Sequence, residues 1–467
     1  MGHHRPPASD IGDGGLHVVT ERYDAVVIGL GPGGEVAAGK LLAAGKWVAV
    51  IERELIGGEC AYWACIPSKT LLRASEAAAS AGRVAGIERP AIEWPALRDY
   101  RDYMVRHLDD TAQVEGYTEK GATVLKGDAR LVGPGRVAVG DQVIDAAEVI
   151  VATGSEPVRP PIEGLESAEV WTNREATTLT DIPGRVLVIG GSAVGVELGQ
   201  FLARMGAEVT ILERSAHLVP RETARVGELV RAALRADGID VRTGAEATRV
   251  LRAGSRATVE VSDGSRVETD VVLLGTGRHP RTSGLGLETA GARVDERGAV
   301  VVDEHCRAGT RLWALGDVTG VALFTHVAMY QGRVVAANLL GERRRAHYEG
   351  IPRVVFADPE IAAVGLSPEA AREAGIDVAT REVDLAETIA RPWTYENEPK
   401  GTLGVVVDRQ RQVLIGAWAV APLAGEWIHQ AALAIRAAIP LQTLCDQVAQ
   451  FPTYTEAYLA ALEPLSL

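Results

Sequence analysis

No run in these 467 residues approaches the roughly 18 consecutive apolar residues that a membrane span needs. A membrane role is therefore not expected. Nor is there a basic stripe: the formal net charge is -14, and a nucleic-acid backbone calls for clustered Lys and Arg. Cysteine is scarce, with 4 in the whole chain, which excludes a secreted disulfide framework. Lysine is thin among the 48 basic residues, a bias toward Arg that fits GC-rich coding and says nothing about mechanism. The opening MGHHRPPASDIGDGG lacks the apolar core of a signal peptide and reads as a flexible lead-in over residues 1–20. His3 and His4 in it are too few for a zinc site, which takes three or four ligands. No metal is expected, and the expected location is cytoplasmic. What remains, 47% apolar and 24% charged, is the composition of a soluble globular chain long enough for several domains.

An internal repeat organises the first two-thirds. The stretch YDAVVIGLGPGGEVAAGKLLAAGKWVAVIER reads as strand, glycine turn, helix and second strand, with Gly29, Gly31 and Gly34 in the turn and Glu52 closing the second strand. A near copy, RVLVIGGSAVGVELGQFLARMGAEVTILER, carries Gly190, Gly191 and Gly195 and closes on Glu213. Glu52 lies 23 positions after Gly29, and Glu213 lies 23 after Gly190 (52 − 29 and 213 − 190). Such a turn needs one Gly for tightness, one for backbone approach to a pyrophosphate and one for helix–strand packing. The helix N-terminus then faces the phosphates, and the acid accepts from ribose hydroxyls. One such fingerprint is weak evidence; two with matched spacing are strong. EVIVATGSEP at 148–157 is echoed by VVLLGTGRHP at 271–280, and TRLWALGDV at 310–318 ends a further apolar strand at Gly316 and Asp317. Asp317 is placed for a ligand's ribityl hydroxyls, or as a helix N-cap.

Cys60 and Cys65 stand in GGECAYWACIPSK, shortly after Glu52. A staple closing so short a loop stabilises little, because loop-closure gains grow with loop length. The pair therefore reads as a redox disulfide. Cys306 and Cys445 have no such setting and are expected to be packing residues.

With these motifs in this order, the chain resembles the class I pyridine nucleotide-disulfide oxidoreductases, which include lipoamide dehydrogenase, glutathione reductase and mercuric reductase. The resemblance runs from about residue 22 to 467. It implies an α/β fold with two Rossmann-like domains, for FAD and NAD(P), plus a C-terminal α+β dimerisation domain. The implied boundaries are an FAD domain over 21–155 and 281–347, an NAD(P) domain over 156–280 and an interface domain over 348–467. The last contains IPRVVFADPEIAAVGLS and GAWAVAPLAGEWIHQAALAI. By the resemblance, Gly29, Gly31, Gly34, Glu52, Thr153, Gly154 and Asp317 hold FAD, while Gly190, Gly195 and Glu213 hold the nicotinamide cofactor. Cys65 is the thiol nearer the flavin and Cys60 the exchange thiol; Lys69 of CIPSK pairs with Glu197 near flavin N5. A homodimer is implied as well. Glu213 favours NADH by repelling a 2′-phosphate, whereas Arg214 and Arg221 keep NADPH open and Ser192 replaces the usual middle glycine.

Three features depart from that pattern. Disulfide reductases of the family carry a C-terminal His-Pro whose His serves as acid and base, but here QFPTYTE puts Phe451 before Pro452. Glu456 still matches the family glutamate, and Tyr454 is either a substitute proton donor or a packed interface residue. Help of the missing kind is typically worth ~10² to 10⁴ in rate. Mercuric reductases share a Phe-Pro but end in a vicinal cysteine pair; this chain ends ALEPLSL, so mercury reduction is not expected. Finally, Tyr62 and Trp63 stand between the cysteines, either to stack a planar substrate or to pack internally.

These residues point to an FAD-dependent, NAD(P)H-linked dithiol/disulfide oxidoreductase acting on a non-standard small-molecule thiol or disulfide. Two alternatives stay open: direct reduction of a quinone or dye by the flavin, and a flavin-bound redox sensor or scaffold.

Overall fold

The computed structural model describes residues 17–254 and 256–466, so His3 and His4 lie outside the described residues. The first strand already runs from His17, inside the lead-in expected to reach residue 20. Contacts divide the described residues into two compact units: those of 17–58, 110–155 and 279–346 form the first, and those of 59–109, 156–278 and 347–466 the second.

The first unit is built on a parallel sheet whose central strand, His17–Ile28, lies between Val48–Glu52 and Gln142–Val151. Thr123–Lys126 extends it on one side and Leu312–Ala314 on the other. Val48–Glu52 is buried at every position, which explains its unbroken apolar run: a strand covered on both faces has no polar side to show. The helix Pro32–Ala43 buries Gly33, Gly34, Ala37, Ala38 and Leu41, small residues that let it lie close to the sheet.

In the second unit the repeat returns as topology. Arg185–Ile189 is central, flanked by Glu208–Glu213 and Val271–Leu274, with Asp240–Thr243 and Val170–Trp171 outermost, all parallel. In both sheets the glycine-turn strand sits where strand order reverses, the place where open α/β sheets bind ligands. The same unit carries a five-stranded antiparallel sheet in the order 353–355, 360–365, 413–421, 402–408, 378–384. Its apolar cluster includes Leu403, Trp427, Tyr454 and Tyr458.

The cysteine segment, expected within the first 21–155 domain, instead packs with the second unit. Its nineteen-residue helix, Cys65–Arg83, puts Leu71 and Leu72 into a cluster with Val188, Phe201 and Trp418. At the end of that helix the Arg83 guanidinium donates to both oxygens of Asp358, at 2.9 and 2.8 Å, and to Glu396. Asp358 also meets Arg204 at 2.9 Å. Burial of Leu71 and Leu72, at ~2 kcal/mol each, and this half-buried ion network fix which unit the helix joins.

Glu360 opens the strand Glu360–Gly365 and accepts the Gly425 N–H at 2.7 Å. Burial pushes its carboxyl up to about 7; the Gly425 bond opposes the rise, and Glu76, Glu426 and Asp358 add to it. An unfolded Glu gives up its proton near ~4.3. Between the two values the unfolded chain binds fewer protons, so stability falls as pH rises through this window and stays low above it. The gap corresponds to about 4 kcal/mol. Glu360→Gln is therefore expected to be more stable than the parent at pH 8 and to lose that advantage toward pH 4. Urea midpoints across pH check this, and a pH-independent difference would sink it.

Candidate active site

The first glycine turn is held by sterics. A Cβ at Gly34 would stand 2.1 Å from the Gly29 carbonyl oxygen, so only glycine lets the helix close on the strand. At Gly31, by contrast, a Cβ would meet nothing within 4 Å. The helix Pro32–Ala43 begins with no side-chain cap, leaving its first N–H groups for an anion. Glu52, 8% exposed, accepts the Leu30 N–H on one oxygen at 2.8 Å and the Glu54 N–H on the other at 2.9 Å. Each oxygen keeps a lone pair for a ribose hydroxyl. In the same unit Asp317 accepts the Ser155 hydroxyl at 2.6 Å, and Thr153 donates to the Arg281 carbonyl at 2.7 Å. Gly154 follows Thr153 in a left-handed turn with φ 74°. The fully buried Gln331 accepts the Gly316 N–H at 2.6 Å and so pins the turn that carries Asp317. An open cradle, uncapped helix end and polar strand-end groups fit a dinucleotide.

The second turn is held by the same two constraints as the first. A Cβ at Gly195 would stand 2.0 Å from the Gly190 oxygen. Glu213, 5% exposed, accepts Gly191 N–H and Ser215 N–H, each at 2.7 Å. Ser192 occupies the position of Gly31, and its hydroxyl donates to the Gly275 carbonyl at 2.7 Å. The side chain is thus engaged away from the helix end, which begins without a side-chain cap. Arg214 and Arg221 are both exposed. This cradle fits a nicotinamide dinucleotide equally well.

Cys60 lies in the short helix Gly58–Tyr62, and Cys65 is the first residue of the helix Cys65–Arg83; both are half-buried. The N-terminus of a long helix favours a thiolate. Lys69 follows one turn later and donates to Glu197 at 2.7 Å. Glu197, 5% exposed, also accepts the Phe356 N–H at 2.9 Å, and the Lys69 ammonium sits 4.9 Å from the Phe356 ring centroid. Phe356 was not visible as a partner of Glu197 in the sequence, because it reaches that carboxylate through its backbone.

Between the cysteines, Tyr62 is fully buried, and its hydroxyl accepts from Arg106 at 3.4 Å. Trp63 is half-buried, with the Arg174 guanidinium 4.1 Å from its ring centroid. Both rings have internal partners, which favours packing over substrate stacking. The C-terminal candidates separate. Tyr454 is 5% exposed, stacked on Trp427 and edge-on to Tyr395, and burial pushes its phenol well above the usual range. That environment opposes the proton-donor role and fits the packed one. Glu456 accepts the Thr453 N–H at 2.8 Å, whereas Phe451 is exposed. Cys306 is fully buried; Cys445 packs beside the Tyr454 cluster, and burial pushes its thiol up. Among the described residues no group of three or more His, Cys, Asp or Glu could hold a metal ion, and no helix is long and apolar enough to cross a membrane.

Comparison with known proteins agrees with this geometry. Residues 23–332 match the pyridine nucleotide-disulphide oxidoreductase family, and residues 351–462 match its dimerisation domain. The chain is 37% identical to a dihydrolipoyl dehydrogenase of Thermus scotoductus over 456 residues, 95% of this chain and 97% of that protein. It is 36% identical to a mercuric reductase of Streptomyces lividans over 456 residues, 94% of this chain and 96% of the relative. Among solved structures, the HOCl-induced flavoprotein disulfide reductase RclA of Escherichia coli superposes with a TM-score of 0.84 at 28% identity, covering 94% of this chain and 99% of that one. Two dinucleotide cradles, a cysteine pair at a helix start and these matches lead to one conclusion: the chain belongs to the pyridine nucleotide-disulphide oxidoreductases, as an FAD-dependent enzyme that works with NAD(P)H.

Proposed function

We propose that this chain is a dithiol/disulfide oxidoreductase in which Cys60 and Cys65 form the working redox pair, serving a small-molecule thiol or disulfide. The observation that carries the proposal is the position of Cys65 at the first turn of a nineteen-residue helix, with Lys69 one turn further on. When bound, the two cofactors supply hydride transfer between nicotinamide and flavin; the chain's own residues govern the thiols. The helix N-terminus and the Lys69 ammonium favour the anionic form of Cys65. Glu197 holds that ammonium, and the Phe356 N–H stops the carboxylate from turning away. Cys60, in the preceding short helix, is the thiol that exchanges with substrate.

Glu213 supports NADH as the donor. Its oxygens keep capacity for a ribose 2′-OH and would repel a 2′-phosphate. Residues 351–462 support a homodimer as the working state. A second reading is favoured by one specific observation: Phe451 offers no proton and Tyr454 is held too tightly protonated to serve as a base. In it a quinone-type acceptor would be served by the bound flavin without the two cysteines.

Anaerobic titration with NADH separates the two. A working pair takes up twice the electrons of the flavin alone, and Cys60→Ser is expected to halve that uptake and abolish thiol or disulfide turnover. Uptake by the flavin alone in the parent, with full quinone activity in Cys60→Ser, would discard the proposal in favour of direct reduction. A further expectation concerns Lys69 and Glu197 as one unit. Lys69→Met and Glu197→Gln should each lower kcat by roughly 10²-fold, and the double variant should be no worse than either. Additive losses in steady-state kinetics would show that the two act separately.

A further inference from the structure

The loop between the cysteines is gripped by one five-residue helix, Asn173–Thr177, more than a hundred positions away in sequence. Arg174 donates through Nε to Glu59 at 2.7 Å and through Nη2 to the same oxygen, so it holds the residue next to Cys60. Its guanidinium also sits over Trp63, 4.1 Å from the ring centroid, and so holds the middle of the loop as well. The Trp63 carbonyl accepts from Asn173 at 2.7 Å and from the Thr177 hydroxyl at 3.1 Å. Arg278 completes the set, meeting Glu59 at 3.6 Å and donating to Asn173 at 3.0 Å.

The gripping helix is itself anchored. Thr172 and Glu175 form a capping box at its start. Arg101, 2% exposed, donates to the Thr177 carbonyl at 2.6 Å and the Leu179 carbonyl at 3.1 Å. None of these contacts involves a sulfur atom. They act on the backbone that carries Cys60 toward or away from Cys65.

We propose that Arg174 is a positioning residue that keeps the loop in its closed geometry when the pair is reduced, and so sets the reduction potential of Cys60–Cys65. This rests on the reading of the two cysteines as a redox pair. Reduction by an external dithiol breaks the Cys60–Cys65 S–S bond; two electrons and two protons pass to the cysteines, and the dithiol closes to its own disulfide. Re-closure depends on how often the two thiols meet. A clamped loop gives a high effective concentration and a stable disulfide; a released loop gains conformations only in the dithiol state. Removing the clamp therefore makes the disulfide easier to reduce.

The test equilibrates the purified holoenzyme in buffers of reduced and oxidised dithiothreitol, quenches with acid, and counts dithiol at Cys60 and Cys65 by alkylation and mass spectrometry. Arg174→Ala is expected to reach half-reduction at about a tenfold lower ratio of reduced to oxidised dithiothreitol, which is ~30 mV for a two-electron couple. Arg174→Lys should behave like the Ala variant, because an ammonium lacks the planar fork that bridges Glu59 and stacks on the indole. Thr177→Val, a milder change that removes one bond to Trp63, should shift in the same direction by less. Midpoints within twofold of the parent in Arg174→Ala and Arg174→Lys, or a shift toward harder reduction, would overturn the proposal. A parent whose cysteines never interconvert across the series would remove the redox pair itself and this inference with it; that result is visible before any variant is made.

Discussion

A carboxylate only 5% exposed has to find its partners inside the protein, and Glu197 draws them from two other stretches of chain. Its own helix, Ala193–Arg204, belongs to the second dinucleotide fold; Lys69 comes from the cysteine helix, and the Phe356 N–H from the start of the C-terminal sheet. An unpaired buried charge would cost several kcal/mol, so these stretches are not free to pack independently. One turn further along the same face, Gln200 exchanges hydrogen bonds with the Asp358 backbone, and Arg204 joins Asp358 and Asp237. Polar contacts of this kind add little net stability over apolar packing. Their value lies in register: they admit one arrangement of the helix that carries Cys65.

The dinucleotide cradles depend on a different balance, between shape and polarity. Glycine is required where helix meets strand, and a carboxylate is required where the second strand ends, since backbone N–H groups there would otherwise be buried without acceptors. Glu52 and Glu213 answer that need before any cofactor arrives. A residue type associated with ribose binding thus also completes the turn.

Much of this was legible from the chain because the signals are local. The glycine spacing, the apolar strands and the closing acid all lie within about thirty residues, and the second copy removes chance as an explanation. The cysteine motif was equally plain, while the Lys69–Glu197 pair needed a family resemblance, its members being 128 positions apart. What stayed hidden depends on burial and distance. Gln331 looks like any surface glutamine in Thr325–Leu339 until its burial is known. Tyr454 reads the same whether it donates protons or fills space, and only its packing on Trp427 separates the two. The helix Cys65–Arg83 shows an apolar face without naming what covers it, so its membership in the second unit could not be read from position in the chain.

Ser192 marks the point where the two copies of the repeat part company. The two copies are held alike at one point and differ at another: Gly34 and Gly195 leave no room for a Cβ, while at Gly31 no protein atom stands in the way of one. In the second copy that freedom has been used to tether the turn to Gly275 through a hydroxyl. The outer glycines thus set the frame that both turns share, and the middle position is where the second turn gains a tether that the first does without.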